Sequence, residues 1–307
     1  MKIMIFGSGG VGGYFGARLA ASGEDVRFIA RGAHLDAMKN NGLHVTSALG
    51  DEHIETVSAT DTVTDCGIAD VVFVAVKLYD TDAAARAIRP AVGANTTLVS
   101  FQNGVSGGPI LSDAYGTEHV IGGSSSIAAR IAKPGVIEHT GTMALLAFGE
   151  GDGQATPRTQ NLFDACVKAG IDVTLSDHID GVIWSKFIFL AAFAGITCTF
   201  RQSIGPILED SEKRGLFRNA LEETFAIARA RGVTLPDDLV DKRMDFADGL
   251  PAEMYSSMYH DLNAGKRLEL PWLSGTVVDF GHDLGIDTPA HQSFVDALSS
   301  NVDGSPG

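Results

Sequence analysis

The chain has 307 residues, of which 45% are hydrophobic and 20% are charged, as in a globular protein with room for two domains. Its formal net charge of −15 at pH 7 argues against nucleic acid and anionic membrane surfaces as partners, because both attract basic proteins. The three cysteines, Cys66, Cys166 and Cys198, form no CxxC pair, and the nine histidines form no ligand motif. Neither a disulfide framework nor a metal site is therefore indicated.

Short apolar runs alternate with helix-like segments from Met1 to about Asp177. The strand candidates are KIMIF, DVRFIA, VVFVAVK, TTLVSF and HVIGG, with a helix over about Gly10–Ser22 after the first of them. Runs that are apolar throughout are typical of strands covered on both faces, as in a parallel sheet of βαβ units. Residues 1–177 are predicted to form an α/β, Rossmann-type doubly wound domain. Two further strands, around the Pro-Gly turn of IAKPGVIEHTG, are predicted to close its sheet.

The character of the sequence changes after Asp177, because apolar residues then recur at helical spacing. Residues 178–307 are predicted to form an all-α domain. Its most apolar stretch, Phe187–Phe200, has 14 residues, whereas a membrane-spanning helix needs about 20. We interpret this stretch as a buried core helix. The N-terminus lacks the uninterrupted apolar run of a secretory signal, so we expect a cytoplasmic protein.

A glycine cluster follows the first predicted strand directly. Gly7, Gly9 and Gly12 match the pattern G-x-G-x-x-G, with a strand before it, a helix after it and a second strand about 20 residues further on. A helix N-terminus offers free N–H groups and a positive dipole end to a pyrophosphate, and side chains there would hold the phosphates away. We predict that Gly7, Ser8, Gly9, Gly10, Val11 and Gly12 bind a dinucleotide.

The residue after the second predicted strand selects between the two nicotinamide cofactors. An acid there would bind the ribose 2′-hydroxyl and repel a 2′-phosphate. This chain has Arg31 instead, and a guanidinium matches a phosphate in charge and in fork geometry. We therefore predict NADPH (NADP) rather than NADH as the cofactor, against the alternative that Arg31 is a solvated surface residue.

Two polar residues follow other predicted strands, at the edge where doubly wound domains bind ligands. Lys77 lies in VAVKLYDT and Asn103 lies in VSFQNGV. Either residue alone could belong to an ordinary loop. Together they indicate a ligand-binding edge.

These residues resemble the ketopantoate reductase family, that is, the 2-dehydropantoate 2-reductases. The resemblance spans essentially the whole chain and is carried by GSGGVG, Arg31, VKLYDT, QNG, PGVIEHTG, the helix with Lys186, and SSMYHDLNAGKRLELPWLSG. It implies NADPH-dependent reduction of a 2-oxo acid, 2-dehydropantoate to pantoate, as in pantothenate biosynthesis. Because the helical domains of such reductases often pair, a homodimer is a further expectation.

The resemblance also implies roles for single residues. The glycine loop and Lys77 hold the cofactor, Asn103 lies between nicotinamide and substrate, and Glu269 reaches into the cofactor site. Lys186 donates the proton and also contacts the substrate, whose carboxylate Ser257 holds. We include Ala129 in the expected cofactor-binding set.

Lys186 also stands out from its surroundings in the sequence. Its neighbours three and four residues away on a helix are Val182, Ile183, Phe189 and Leu190. One interpretation is a lysine whose stem covers the core while its amine reaches water. The other is an ammonium whose pKa is lowered by desolvation, so that it can protonate the alkoxide formed from a ketone.

The chain departs from the family pattern at three positions where the family has asparagine. These are Leu190 and Ala194, four and eight residues after Lys186, and Met254, three residues before Ser257. The part of the site that would recognise the hydroxyl of ketopantoate is thus expected to be apolar. Two alternatives follow: a D-2-hydroxyacid dehydrogenase for branched apolar substrates, and a non-catalytic NADPH sensor.

Overall fold

The computed structural model describes residues 1–305 and divides the chain into two compact units, Met1–Asp180 and Gly181–Gly307. The last two residues of the predicted helical domain, Pro306 and Gly307, lie outside the described residues. The first unit is an α/β unit and the second is helical, so the predicted fold class is confirmed.

The first unit contains a mixed sheet of ten strands. Their order is β4-β3-β9-β8-β7-β6-β1-β2-β5, and β10 pairs with β9. The strands are β1 (Lys2–Phe6), β2 (Asp25–Ile29), β3 (Leu43–Thr46), β4 (Glu52–Ile54), β5 (Ala59–Thr60), β6 (Val71–Val74), β7 (Thr97–Ser100), β8 (Val120–Lys133), β9 (Val136–Gly149) and β10 (Asp172–Leu175). The helices of this unit are α1 (Gly10–Ala21), α2 (Gly32–Asn41), α3 (Thr81–Ala87), α4 (Gly107–Tyr115) and α5 (Pro157–Lys168).

Alternate residues of β1 pack into two separate apolar cores, one on each face of the sheet. Ile3 and Ile5 belong to a core with Phe15 of α1, whereas Met4 and Phe6 belong to a core with Leu111 of α4. Successive side chains of a strand point to opposite faces, so a strand buried on both faces has no polar alternation. The burial of β1 on both faces therefore agrees with the doubly wound arrangement that its apolar sequence predicts.

The β8–β9 hairpin corrects one expectation. Both strands form around the predicted Pro-Gly turn, but they lie inside the sheet and do not close it. The physical reason is the length of β9, which runs over Val136–Gly149. Its first residues pair with β3 and its last residues pair with β10, so it provides partners for strands that the sequence analysis did not predict.

The second unit is built around α6 (Ile179–Phe200), which begins just before the division between the units. The other helices are α7 (Ile204–Glu209), α8 (Ser211–Ala230), α9 (Leu239–Asp248), α10 (Ser257–Asn263), α11 (Ser274–Leu284) and α12 (Pro289–Leu298). The predicted core helix Phe187–Phe200 is part of α6, which has 22 residues and is long and apolar enough to cross a membrane, so its length alone does not exclude a span. However, 67% of the most apolar 18-residue stretch of α6 is buried inside the protein, as in a core helix.

Candidate functional site

Four predicted site elements meet at one edge of the sheet in the first unit. The parallel strands β2, β1, β6 and β7 are consecutive neighbours, and Ile29, Phe6, Val74 and Ser100 are paired at their carboxyl ends. Arg31, the glycine loop, Lys77 and Asn103 follow these four strand ends in the same order. Because adjacent strands lie about 4.8 Å apart, the four elements form a row along this edge.

Three glycines of the loop are required by the fold itself. Gly7 has a φ of +103°, and a Cβ there would lie 2.8 Å from Val76 Cγ1. A Cβ on Gly12 would collide with the carbonyl oxygen of Gly7, and one on Gly10 would collide with the carbonyl oxygen of Ala129 on β8. The expected site residue Ala129 therefore lies against the start of α1.

Gly9 differs from these three glycines, because a Cβ there would meet nothing within 4 Å. Gly9 is the N-cap of α1, with no side-chain cap and no acidic residue in the first turn. The free N–H groups of Gly10, Val11 and Gly12 therefore border an open space that a side chain at position 9 would fill. This cradle fits a pyrophosphate, which needs both the N–H groups and the close approach.

Ser8 holds the loop to the neighbouring strand. Both its amide N–H and its hydroxyl donate to the carbonyl oxygen of Ile29, at 3.2 and 2.9 Å, and the residue is buried. These two donors are therefore engaged within the protein, and Ser8 positions the loop.

Arg31 is exposed and is the N-cap of α2. Its guanidinium forms no ion pair within residues 1–305, and the first turn of α2 contains no acidic residue. An unneutralised guanidinium next to a helix N-terminus is a favourable environment for a phosphate dianion. The neighbouring Gly32, with a φ of +53°, also leaves open space where a side chain would project.

Sequence reasoning missed His34, which ties the glycine loop to the β8–β9 turn. Its Nε2 donates to the carbonyl oxygen of Ser8 at 2.9 Å, and its Nδ1 accepts from the N–H of Gly135 at 3.0 Å. This pattern fixes the neutral tautomer, and burial lowers the pKa of His34. No local signal marks this residue, because one partner lies 26 residues and the other 101 residues away in the chain.

The second unit brings Lys186 and Glu269 together. Burial lowers the pKa of Lys186 to about 8, and the nearby carboxylate of Glu269 opposes this shift. Glu269 itself is only 3% exposed. At pH 7 a group with this pKa is about nine-tenths protonated, yet it gives up its proton far more readily than an ordinary lysine.

The helical neighbours of Lys186 lie outside the fully buried core. Val182, Ile183, Phe189 and Leu190 are partly exposed, whereas other residues of α6, such as Phe187 and Ile188, are fully buried. Lys186 therefore lies on an apolar strip that solvent can reach in part. Such a strip can both desolvate an amine and admit a ligand.

Ser257 is the exposed first residue of α10. Its neighbour Ser256, which sequence reasoning missed, is buried and caps this helix by accepting the N–H of Tyr259 at 3.1 Å. Ser256 also accepts the hydroxyl of Thr197 on α6 at 2.8 Å. Ser256 therefore fixes the start of α10, where Ser257 is presented.

The three positions that depart from the family pattern have different surroundings. Leu190 and Met254 are partly exposed, but Ala194 is only 1% exposed. A substrate could therefore contact the first two side chains, whereas Ala194 is packed within the unit.

Known proteins are similar to this chain over nearly its whole length. The family model described as Ketopantoate reductase PanE/ApbA matches residues 3–153, and the model for the C-terminal part of the same family matches residues 178–301. A relative named 2-dehydropantoate 2-reductase, from Mesorhizobium japonicum, is 32% identical over 310 residues and is covered to 94%, as is this chain.

Two further similarities extend this result. An oxidoreductase of Bacillus subtilis named YkpB is 32% identical over 291 residues, which cover 94% of this chain and 95% of the relative. The crystal structure of 2-dehydropantoate 2-reductase from Geobacter metallireducens matches with a TM-score of 0.91 at 30% identity, covering 98% of this chain and 99% of that one. The chain therefore belongs to the ketopantoate reductase PanE/ApbA family, nicotinamide-dependent oxidoreductases that act on CH–OH groups.

Proposed function

We propose that the protein catalyses the NADPH-dependent reduction of a 2-oxo acid to a 2-hydroxy acid, with 2-dehydropantoate as the first substrate to test. The observation that carries this proposal is Lys186, an amine on an apolar strip whose pKa is lowered to about 8 beside a buried carboxylate. A sensor that only bound a dinucleotide would need no such proton donor.

The proposed cofactor site lies in the first unit. Gly9, Gly10, Val11 and Gly12 supply the cradle for the pyrophosphate, and Arg31 with the start of α2 supplies a site for the 2′-phosphate. Lys77 and Asn103, at the ends of β6 and β7, are proposed to contact the rest of the cofactor and the substrate. This arrangement favours NADPH because it offers a cation, and no carboxylate, after β2.

The proposed chemistry is a two-electron reduction of a carbonyl group. When bound, the reduced nicotinamide supplies a hydride to the carbonyl carbon. Lys186 donates a proton to the carbonyl oxygen, which completes the hydroxyl group, and it then regains a proton from solvent. Glu269 favours the ammonium form of Lys186 and so keeps the donor loaded at neutral pH. Ser257 is proposed to hold the substrate carboxylate.

A second candidate differs in the substrate alone. Leu190 and Met254, both partly exposed, stand where the family pattern has asparagines. Apolar side chains at these positions favour a branched apolar 2-oxo acid, and the enzyme would then act as a D-2-hydroxyacid dehydrogenase. We also propose a cytoplasmic homodimer. Residues 1–177 are assigned to cofactor binding, with Asn103 also contacting the substrate, and residues 178–307 are assigned to proton donation and to the other substrate contacts.

The test is the oxidation of NADPH, followed at 340 nm with purified protein and a panel of 2-oxo acids that includes 2-dehydropantoate and 2-oxoisovalerate. We expect turnover with at least one of them and a lower kcat/KM with NADH than with NADPH. Binding of NADPH without turnover of any 2-oxo acid would overturn the reductase proposal and favour the sensor.

A further inference from the structure

Gln102 connects two of the loops at the candidate edge. Its side-chain amide donates from Nε2 to the carbonyl oxygens of Val76 and Lys77, at 3.0 and 3.4 Å, and to the hydroxyl of Thr81 at 2.8 Å. Gln102 comes directly before Asn103 in the chain and is only 8% exposed. One buried side chain thus joins the loop after β6 to the loop after β7.

The orientation of this amide is fixed by its partners. The Thr81 hydroxyl donates to the carbonyl oxygen of Leu78 at 2.7 Å, so it can only accept from Gln102. On the other side, Gln102 Oε1 accepts from the Ser100 hydroxyl at 2.9 Å. The acceptors therefore all face Nε2, and the donor faces Oε1.

The surrounding packing leaves Gln102 little freedom. A Cβ on Gly107, in the first turn of α4, would lie 2.8 Å from Gln102 Oε1. The Val76 side chain, next to one of the carbonyls that Gln102 binds, lies against Gly7 of the glycine loop. The amide therefore links the loop of Asn103, the loop of Lys77 and the backbone that packs on the glycine loop.

We propose that Gln102 is a positioning residue that sets the distance between Lys77 and Asn103 and so aligns cofactor and substrate for hydride transfer. The inference rests on the proposed function for the roles of Lys77 and Asn103. Gln102 itself needs no contact with either ligand, because its bonds run to the backbone of the loop that carries Lys77. Displacement of reacting groups by about 1 Å can cost a hundredfold in rate, so a linkage at this point has a large effect on turnover.

The experiment compares Gln102→Met with Thr96→Val. Methionine keeps most of the volume of glutamine and removes every hydrogen bond of its side chain. Thr96 makes a matched cross-link at the opposite end of β7: it is 2% exposed, donates to the carbonyl oxygen of Ala69 at 2.6 Å and accepts the N–H of Gly93 at 2.9 Å. Both variants lose buried hydrogen bonds, but only the first lies at the candidate edge.

We expect Gln102→Met to lower kcat by about tenfold or more and to raise the Kd of NADPH about fivefold. Thr96→Val should leave both quantities within about twofold of wild type at a temperature well below its Tm. Ser100→Ala removes the bond to Oε1 and the longer bond from the Gln102 N–H, at 3.4 Å, but keeps every bond of Nε2. It should give a smaller loss of kcat, about threefold, and it replaces Gln102→Met if that variant does not fold. Equal kcat and Kd values for Gln102→Met and Thr96→Val would overturn the proposal.

Amide hydrogen exchange separates this proposal from the proposed reaction. Gln102→Met should speed exchange in residues 76–81 and 103–106, and Thr96→Val should leave these segments protected as in wild type. If wild type reduces no 2-oxo acid, the reductase proposal fails, while exchange in the two loops still decides whether Gln102 orders them. Unchanged exchange in both loops of Gln102→Met would overturn the positioning role.

Discussion

Acid should destabilise the second unit through His291, a fully buried histidine on α12. Its Nε2 bonds the carbonyl oxygen of Ala220 at 3.0 Å and the Thr224 hydroxyl at 2.9 Å. Its Nδ1 has no hydrogen-bond partner within residues 1–305. Protonation would therefore place a charge in the core without a partner for the new N–H group, and burial lowers the pKa of His291 from 6.5 to about 4.

This pKa determines the direction and the size of the change in the free energy of unfolding with pH. Because the folded state holds the imidazole neutral, the stability is fully present above pH 6.5 and is lost as the pH falls towards 4. At about 1.4 kcal/mol per pH unit, the loss is about 2 kcal/mol at pH 5 and about 3 kcal/mol at the acid limit. Partial burial raises the pKa of the Glu223 carboxylate, which makes the protein more stable as the pH falls and so acts in the opposite direction. A variant of His291 is therefore the proper reference.

His291→Gln keeps an N–H donor towards Ala220 and cannot become charged. The assay is urea unfolding at pH 7.5 and pH 5.0, followed by tryptophan fluorescence. Both tryptophans, Trp184 and Trp272, lie in the second unit and report its unfolding. Between pH 7.5 and pH 5.0, the free energy of unfolding should fall by about 2 kcal/mol more in wild type than in His291→Gln. If the decreases in the two proteins agreed within about 0.5 kcal/mol, His291 would not be the source of the acid destabilisation.

Three predictions concern the proposed reaction. Arg31→Ala should weaken NADPH binding by about tenfold to a hundredfold and leave NADH binding unchanged, as checked by titration of both cofactors; equal affinities in wild type would contradict the phosphate site. Lys186→Ala should lower kcat about a hundredfold or more with a nearly unchanged Kd for NADPH, and near-normal kcat at saturating substrate would show that the proton comes from another group. With Leu190 and Met254 at the substrate site, a branched apolar 2-oxo acid should be reduced at least as efficiently as ketopantoate. In kcat/KM at saturating NADPH, a preference for ketopantoate over its des-hydroxy analogue above about thirtyfold would show that the hydroxyl is recognised.

The sequence predicts the parts of the fold that depend on local pattern. The fully apolar run of β6 and the glycines before α1 are properties of a few consecutive residues, and both elements form as expected. The strands β3 and β4 were missed because they have only four and three residues, and because β3 depends on pairing with the distant β9 and β4 pairs with β3. The position of the hairpin was predicted wrongly for the same reason, because it depends on the pairing of β9 with β3 and β10, which the sequence pattern did not reveal.

The features of the candidate site also fall into those that the local sequence predicts and those that depend on distant contacts. The location of Lys77 and Asn103 at one edge of the sheet could be predicted, because residues after neighbouring parallel strands meet there whatever the detailed packing. His34 and Gln102 could not, because their roles lie in hydrogen bonds to residues far away in the chain. The low pKa of Lys186 was expected from its apolar neighbours, and Glu269 as the opposing charge became evident only in three dimensions.

The different surroundings of the four loop glycines change what the motif can reveal about relatives of this protein. Gly7, Gly10 and Gly12 would be retained by a descendant that had lost its cofactor, since folding alone demands them. Gly9 has a negative φ and empty space around it, so once no dinucleotide lay there a larger residue could accumulate at no cost to folding. In a pseudoenzyme of this fold, a substitution at position 9 would therefore be the first sign that cofactor binding had been lost. The other three glycines would still match the motif although the activity was absent.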